Sequence, residues 1–159
     1  MKVEYLNPFI LATKNVLATM AQTTVEPQKP HLKENKDTFG EVTGIIGMAS
    51  ETVEGSMVIS FSESCILHIV AKMLMEPVKP TIDHDVIDAV GELTNIICGG
   101  AKATLAKMGL NFNLATPTMV HGKGAEVHYP HSAPIVVIPF KTASGDFVLE
   151  ASLADRHRR

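Results

Sequence analysis

The stretch from Thr81 to Met108 constrains this chain more than any other. Its polar positions, Asp85, Asp88, Glu92, Asn95, Gly99 and Lys102, step by three or four. That spacing keeps them on one side of an α-helix. At about 100° per residue, Asp88, Glu92, Asn95, Gly99 and Lys102 fall within an arc of roughly 80°. The opposite side is apolar: Val86, Val90, Leu93, Ile97, Ala101, Thr104 and Met108. Such a helix lies on a core. It shows water a carboxylate and a carboxamide one turn apart, Glu92 and Asn95.

Both ends of this helix carry signals. Thr81 or Asp83 can cap the N-terminus, and Asp83 and Asp85 suit the positive end of the helix dipole. Gly109 is placed to stop the helix in a left-handed C′ conformation. Gly91, Gly99 and Gly100 lie inside, each costing about 1 kcal/mol relative to alanine. Gly91 and Gly99 flank the Glu92/Asn95 pair, so close approach of a partner accounts for them. Gly100 lies nearer the apolar side and suits tight helix packing.

The rest of the chain fits one domain. Its 159 residues can bury a sizeable core, and a hydrophobic content of 45% argues against disorder. A formal net charge of -3, with seven histidines counted neutral, gives no basic field for nucleic acid. No apolar run reaches the length of a membrane span, and Met1-Lys2-Val3-Glu4-Tyr5 has no signal-peptide character. A cytoplasmic protein is expected. Cys65 and Cys98 sit among apolar residues and read as buried free thiols rather than a disulfide or metal site.

Asn7 and Pro8 read as a cap and first-turn proline opening a helix to about Met20. Val25 to Lys36 contains Pro27 and Pro30, which confines any strand there to an edge. Glu41–Met48 and Gly55–Phe61 read as a hairpin, and Ser62 as the cap of a helix ending near Met75. Leu114 to Val120 reads as a strand, with a short strand near Glu126 to Tyr129. Ile135 to Phe140 is a continuous apolar run and reads as a central strand. Phe147 to Leu153 alternates as a half-buried last strand. The organisation expected is a single domain over residues 1–154 and a disordered tail at 155–159. The fold class is α/β in a two-layer α+β style, with helices packed on a largely antiparallel sheet.

The spacing Asp88-x-x-x-Glu92-x-x-Asn95, followed 22 positions later by Pro117, resembles the signature of the CheC/CheX/FliY chemotaxis phosphatases. The segments Asn7-Pro8-Phe9-Ile10, Gly55-Ser56-Met57-Val58-Ile59-Ser60-Phe61-Ser62 and Gly91-Glu92-Leu93-Thr94-Asn95-Ile96 resemble the CheX branch most. The likeness extends from about Tyr5 to about Ser152. It implies a CheC-like fold and hydrolysis of the phosphoaspartate of a phosphorylated CheY-type response regulator. Two-site members of the family carry the Glu/Asn pair on the first helix too. Here those places hold Ala12 and Asn15, so one site is expected, on the long helix.

The resemblance also assigns roles. Asn95 is the water-orienting residue, and its neutral carboxamide suits that work because it accepts and donates without repelling phosphoryl oxygens. Glu92 contacts the regulator. Asp88, Gly91, Gly99 and Lys102 are expected to flank the partner. The chain needs no cofactor or metal of its own, because Mg²⁺ is supplied by the regulator's acidic pocket. A homodimer built through strand edges is implied, supplied by Val25 to Lys36 or by the last strands. The residues alone favour plainer readings. A Glu/Asn pair is common on solvated helices, Pro117 suits a strand entry, and His84 with Asp85 and Asp88 suits a helix cap. His121, His128 and His131 show no ligand spacing. The competing functional class is a non-catalytic scaffold of the chemotaxis or flagellar switch apparatus, like the middle domain of FliM.

Overall fold

A computed structural model describes residues 1–129 and 133–156. Strands β3 (Val42–Ala49) and β4 (Val53–Phe61) form the expected hairpin, in register from Val42 opposite Phe61 to Ala49 opposite Glu54. β4 also pairs along its whole length with β8 (Gly145–Asp155), which pairs with β7 (Val136–Thr142). Two-residue strands β1 (Glu26–Pro27) and β2 (His31–Leu32) border β7. On the other side, β5 (Asn113–Leu114) and β6 (Thr118–His121) border β3. All these pairs are antiparallel, in the order β1-β7-β8-β4-β3-β5 with β2 on β7 and β6 on β3.

Alternate residues of the sheet, among them Ile46, Met57, Ile59, Ile138 and Leu149, share one core with three helices. These are α1 (Val3–Ala21), α2 (Glu63–Leu74) and α3 (His84–Lys107). Phe147 stacks on Phe140 at 4.8 Å between ring centroids and meets Phe61 at 4.9 Å. The α+β class and antiparallel sheet read from the sequence are borne out.

Several local expectations are corrected. α1 begins at Val3, and Pro8 lies buried inside it rather than at its first turn. Burial of Leu6 and Phe9 against the core holds the extra N-terminal turn in helix. Ser62 stands at the N-cap of α2 but makes no capping hydrogen bond. β7 is not central, because its outer neighbours are only the two short strands. Where a strand was expected near Glu126 to Tyr129 there is a single bridge, Asp37 to Glu126.

β8 is not half-buried: Phe147 through Ser152 are buried on both faces. On the face away from the helices, Glu150 is 2% exposed and accepts from Lys33 Nζ at 2.8 Å and from Tyr129 Oη at 3.0 Å. Nearby, Ser60 Oγ accepts from the backbone N–H of Gly40 at 2.8 Å and bonds the Thr43 hydroxyl at 2.7 Å. The segments around Lys33 and Tyr129 thus roof this face, and each buried polar group there has a partner. Nor is the expected tail apart from the fold. Asp155 pairs with Val53, and Arg156 donates from its backbone to Thr52 and from Nη1 to the Ser50 carbonyl at 2.7 Å. Residues 157–159 lie outside the described residues.

What seats α3 is one contact. Thr94 is fully buried, donates to the Val90 carbonyl at 2.7 Å, and lies over Gly44 of β3. A Cβ on Gly44 would fall on the Thr94 hydroxyl. The Gly44→Ala variant is therefore expected to lose about 1–3 kcal/mol, the usual cost of overpacking. A denaturant midpoint equal to that of the wild type would disprove this seating.

Candidate functional site

α3 is fixed at both ends by its own sequence. Asp83 is the N-cap, its Oδ1 accepting from the backbone N–H of Val86 at 3.0 Å. Lys79 Nζ holds the other carboxylate oxygen at 2.8 Å, and this partner with the backbone donor keeps the Asp83 carboxyl below its usual pKa. At the far end, Leu110 N–H bonds the Leu105 carbonyl and Gly109 N–H the Ala106 carbonyl. Gly109 has φ 88°. This is a Schellman stop with glycine at the left-handed position, as its place in the sequence predicts. The helix is one turn shorter at the start than Thr81.

The underside of the helix is locked. Val90, Leu93, Thr94 and Ile97 are completely buried. The stripe continues to Leu105 rather than Met108, which is 39% exposed. A rigid backbone therefore holds the outward residues Asp88, Glu92 and Asn95, all of them exposed. Among the described residues neither Glu92 nor Asn95 is engaged in a hydrogen bond or ion pair. Asp88 faces the His84 ring at 3.4 Å. Ile96, 37% exposed, adds an apolar side chain next to Asn95.

The glycines divide by what surrounds them. Gly99 has open space where a Cβ would stand, as close approach of a partner requires. Gly91 does not: a Cβ there would meet Met119 Sδ of β6 at 3.5 Å. That is an ordinary van der Waals contact, so Gly91 borders β6 and a methyl group would fit there. Gly100 would place a Cβ 3.2 Å from that of Ala12 on α1, the tight helix crossing expected there. The same closeness leaves no room for a carboxylate at Ala12, while Asn15 is exposed. Pro117 directly precedes β6, the strand whose Met119 lies along α3, so the sequence-distant proline enters the site's border.

The polar stripe is not a single cleft. Asp88 and Glu92 line a groove with Met20, Met73 and Leu74 at the ends of α1 and α2. Lys102, seven residues beyond Asn95 and so roughly 10 Å along the axis, lines a different cleft with Asn113 and Arg156. The structure thus puts Asp88 and Glu92 on one groove and Lys102 on another, with Asn95 and Gly99 on the exposed stripe between them. Sequence reasoning missed the Thr94–Gly44 contact and the buried Glu150. Glu150 had a signal: it is the lone charge in Phe147-Val148-Leu149-Glu150-Ala151-Ser152-Leu153.

Among the described residues no group of three or more histidine, cysteine or acidic side chains could hold a metal ion. His121 and His128 are exposed, and His131 lies outside the described residues. No described helix is long and apolar enough to cross a membrane.

With this geometry in hand, comparison with known proteins is informative. Residues 42–141 match the family described as chemotaxis phosphatase CheX. The chain belongs to the CheX family. It is 39% identical to the chemotaxis protein CheX of Vibrio vulnificus, over 96% of this chain and 100% of that one, with a TM-score of 0.88. It is 26% identical to a chain of the CheX–CheY–BeF3–Mg²⁺ complex from Borrelia burgdorferi, over 96% and 99% of the two chains, with a TM-score of 0.79. The CheY-P phosphatase CheX of Thermotoga maritima is 27% identical over 105 residues, 65% of this chain and 67% of that protein. The resemblance read from Asp88, Glu92, Asn95 and Pro117 is borne out at the level of the family.

In this CheX family member Cys98 lies one turn beyond Asn95 but is buried rather than presented beside it. Burial pushes its thiol up to about 12, and that of Cys65 up to about 11. Both are free and buried, as expected. An aromatic disulfide reagent at pH 8 is expected to modify neither in the folded protein and both after unfolding. Because the folded state holds these protons more tightly, their contribution to stability is present below the ordinary thiol value near 9 and is lost as pH climbs towards 11 and 12. Rapid labelling of either thiol in the native protein at pH 8 would contradict the packing.

Proposed function

We propose that this chain hydrolyses the phosphoaspartate of a CheY-type receiver domain, with Asn95 orienting the attacking water and Glu92 contacting the receiver. The observation that carries this reading is an exposed, uncommitted carboxylate and carboxamide one turn apart on a helix with a locked underside. Membership of the CheX family and the phosphatase name of the Thermotoga relative support it.

The chemistry asks little of this chain. Water attacks phosphorus in line, the bond from phosphorus to the aspartyl oxygen breaks, and the water's proton leaves with the phosphate. The Asn95 amide oxygen accepts a hydrogen bond from the water, and its NH₂ group is free to donate to a neighbouring oxygen. Holding water in line removes an entropic part of the barrier. The carboxamide stays neutral beside a dianionic phosphoryl group. Glu92 pairs with a cation beside the phosphoaspartate, fixing the helix against the receiver. Mg²⁺, which the Borrelia complex names, stays with the receiver's acids in this scheme. Asp88 and Gly99 flank the contact, and the reading puts the reaction in the cytoplasm with the receiver.

Asn95→Ala is expected to slow receiver-stimulated phosphate release about 100-fold or more, with affinity for the receiver within about twofold of wild type. Glu92→Ala is expected to lower kcat/KM about tenfold, mostly through KM. Measurement is by phosphate release under single-turnover and steady-state conditions. A wild type that binds phosphorylated receivers but leaves their lifetime unchanged would make the chain a scaffold instead.

A homodimer through a strand edge belongs to the same reading. Two edges suit it: the short strands β1 and β2 of the Pro27/Pro30 segment, and the end of β8 from Ser152 to Asp155, which runs past its pairing with β7 and bonds β4 alone. Light scattering is expected to give twice the 17.2 kDa chain mass. A single-chain mass at micromolar concentration would remove the dimer.

A further inference from the structure

Glu92 belongs to two surfaces. On one side it stands with Asn95. On the other it closes a groove of about 630 Å³ between the C-terminal ends of α1 and α2 and the N-terminal half of α3. The apolar wall of the groove is Met20, Met73 and Leu74. The facing wall and rim carry four carboxylates, Glu76, Asp85, Asp88 and Glu92, and among the described residues no basic side chain lines it.

The acids are only partly answered from within. Lys79 reaches Asp85 at 3.7 Å from outside the groove, but it is held more closely by Asp83 at 2.8 Å. His84 faces Asp88 at 3.4 Å and adds charge only when protonated. Glu76 and Glu92 make no close ion pair among the described residues, although Lys79 also attracts Glu76 at longer range. Where α2 stops, Met75 takes the left-handed conformation at φ 55° and stands 92% exposed. Leu74 is 41% exposed and Val78 48%. Of the groove wall, Leu74 stands in solvent beside these acids and Met73 packs partly on the core; Met75 and Val78 follow Leu74 along the chain without lining the groove. Unbranched methionine side chains also adapt readily to an incoming surface.

We propose that this groove is the specificity half of the docking surface, and that it takes a basic, amphipathic turn of the receiver domain, with a lysine or arginine flanked by aliphatic side chains. The inference rests on the reading that a receiver is bound at Glu92 and Asn95. Continuity argues for one partner covering both: from Glu92 back to Asp85 is seven residues, roughly 10 Å of helix, well within the footprint of a single small domain. Charge complementarity argues for the chemistry of the segment. Four carboxylates facing three apolar side chains match a cation on an aliphatic stem, and they repel an acidic surface. Division of labour follows. Asn95 governs the rate for any receiver that reaches it, and the groove governs which receiver does.

The test uses residues outside the proposed catalytic pair, Glu76→Lys and Leu74→Gln, in the full chain. Binding is measured with a CheY-type receiver held in its activated state by beryllofluoride and Mg²⁺, at low and at physiological salt. Glu76→Lys is expected to weaken binding about tenfold at low salt and to flatten the salt dependence. Leu74→Gln is expected to weaken it about threefold or more with the salt dependence kept. In phosphate release both variants are expected to raise KM and leave kcat within about twofold. Thermal unfolding identical to wild type shows that the exposed changes leave the fold intact. Should both variants bind and turn over as wild type does, or should wild type bind no activated receiver, the groove is not a receiver surface. A wild type that binds through the groove without speeding phosphate loss would leave this inference standing and remove the phosphatase reading.

Discussion

The seating of Thr94 on Gly44 is the contact on which the rest depends. A helix can present side chains to a partner only if its own axis is fixed. Here a buried hydroxyl, satisfied by the carbonyl one turn back, drops into the space left by a glycine in β3. The apolar stripe of α3 supplies most of the binding of helix to sheet, but it would tolerate sliding and rotation. A single close contact with no free volume does not. It sets which residues face outward, so Glu92 and Asn95 owe their direction to a contact on the opposite side of the helix.

The sheet beneath is equally specific about its two faces. Its helix side is an ordinary aromatic and aliphatic core. Its other side buries Glu150 with Lys33 and Tyr129, groups expensive to remove from water and stable only when paired. The Tyr129 hydroxyl is pushed up, first by burial and then by the Glu150 charge it bonds, so it stays protonated as the donor. These bonds fasten irregular segments across β8 and β7 where no helix is available. They leave the helix side of the molecule for the proposed recognition.

Chemical economy links the fold to its proposed work. Phosphoryl transfer from a phosphoaspartate needs a placed water and managed charge. A neutral carboxamide on a fixed helix does the first without adding negative charge. Beside the pair, the surface is open at Gly99 and borders Met119 of β6 at Gly91. The acidic, methionine-lined groove lies at the N-terminal half of the same helix.

Much of this was legible in the sequence. Three-and-four spacing gave the exposed stripe of α3 and Gly109 its stop, while the start was narrowed to Thr81 or Asp83, because caps and glycine conformations act over a few residues. The β3–β4 hairpin followed from its two apolar runs and the polar turn between them. Family membership followed from Asp88, Glu92, Asn95, Pro117 and the flanking segments in order. What the sequence left open was set by neighbours far along the chain. Pro8 was drawn inside α1 by burial of Leu6 and Phe9, β8 was buried on both faces by segments from Lys33 and Tyr129, and β7 was placed beside two short strands. Gly91 and Gly99 look alike in sequence, yet one borders Met119 and the other faces open space. Local order depends on backbone preferences within a turn or two, whereas burial and free space depend on which distant side chains arrive, and only the folded chain decides that.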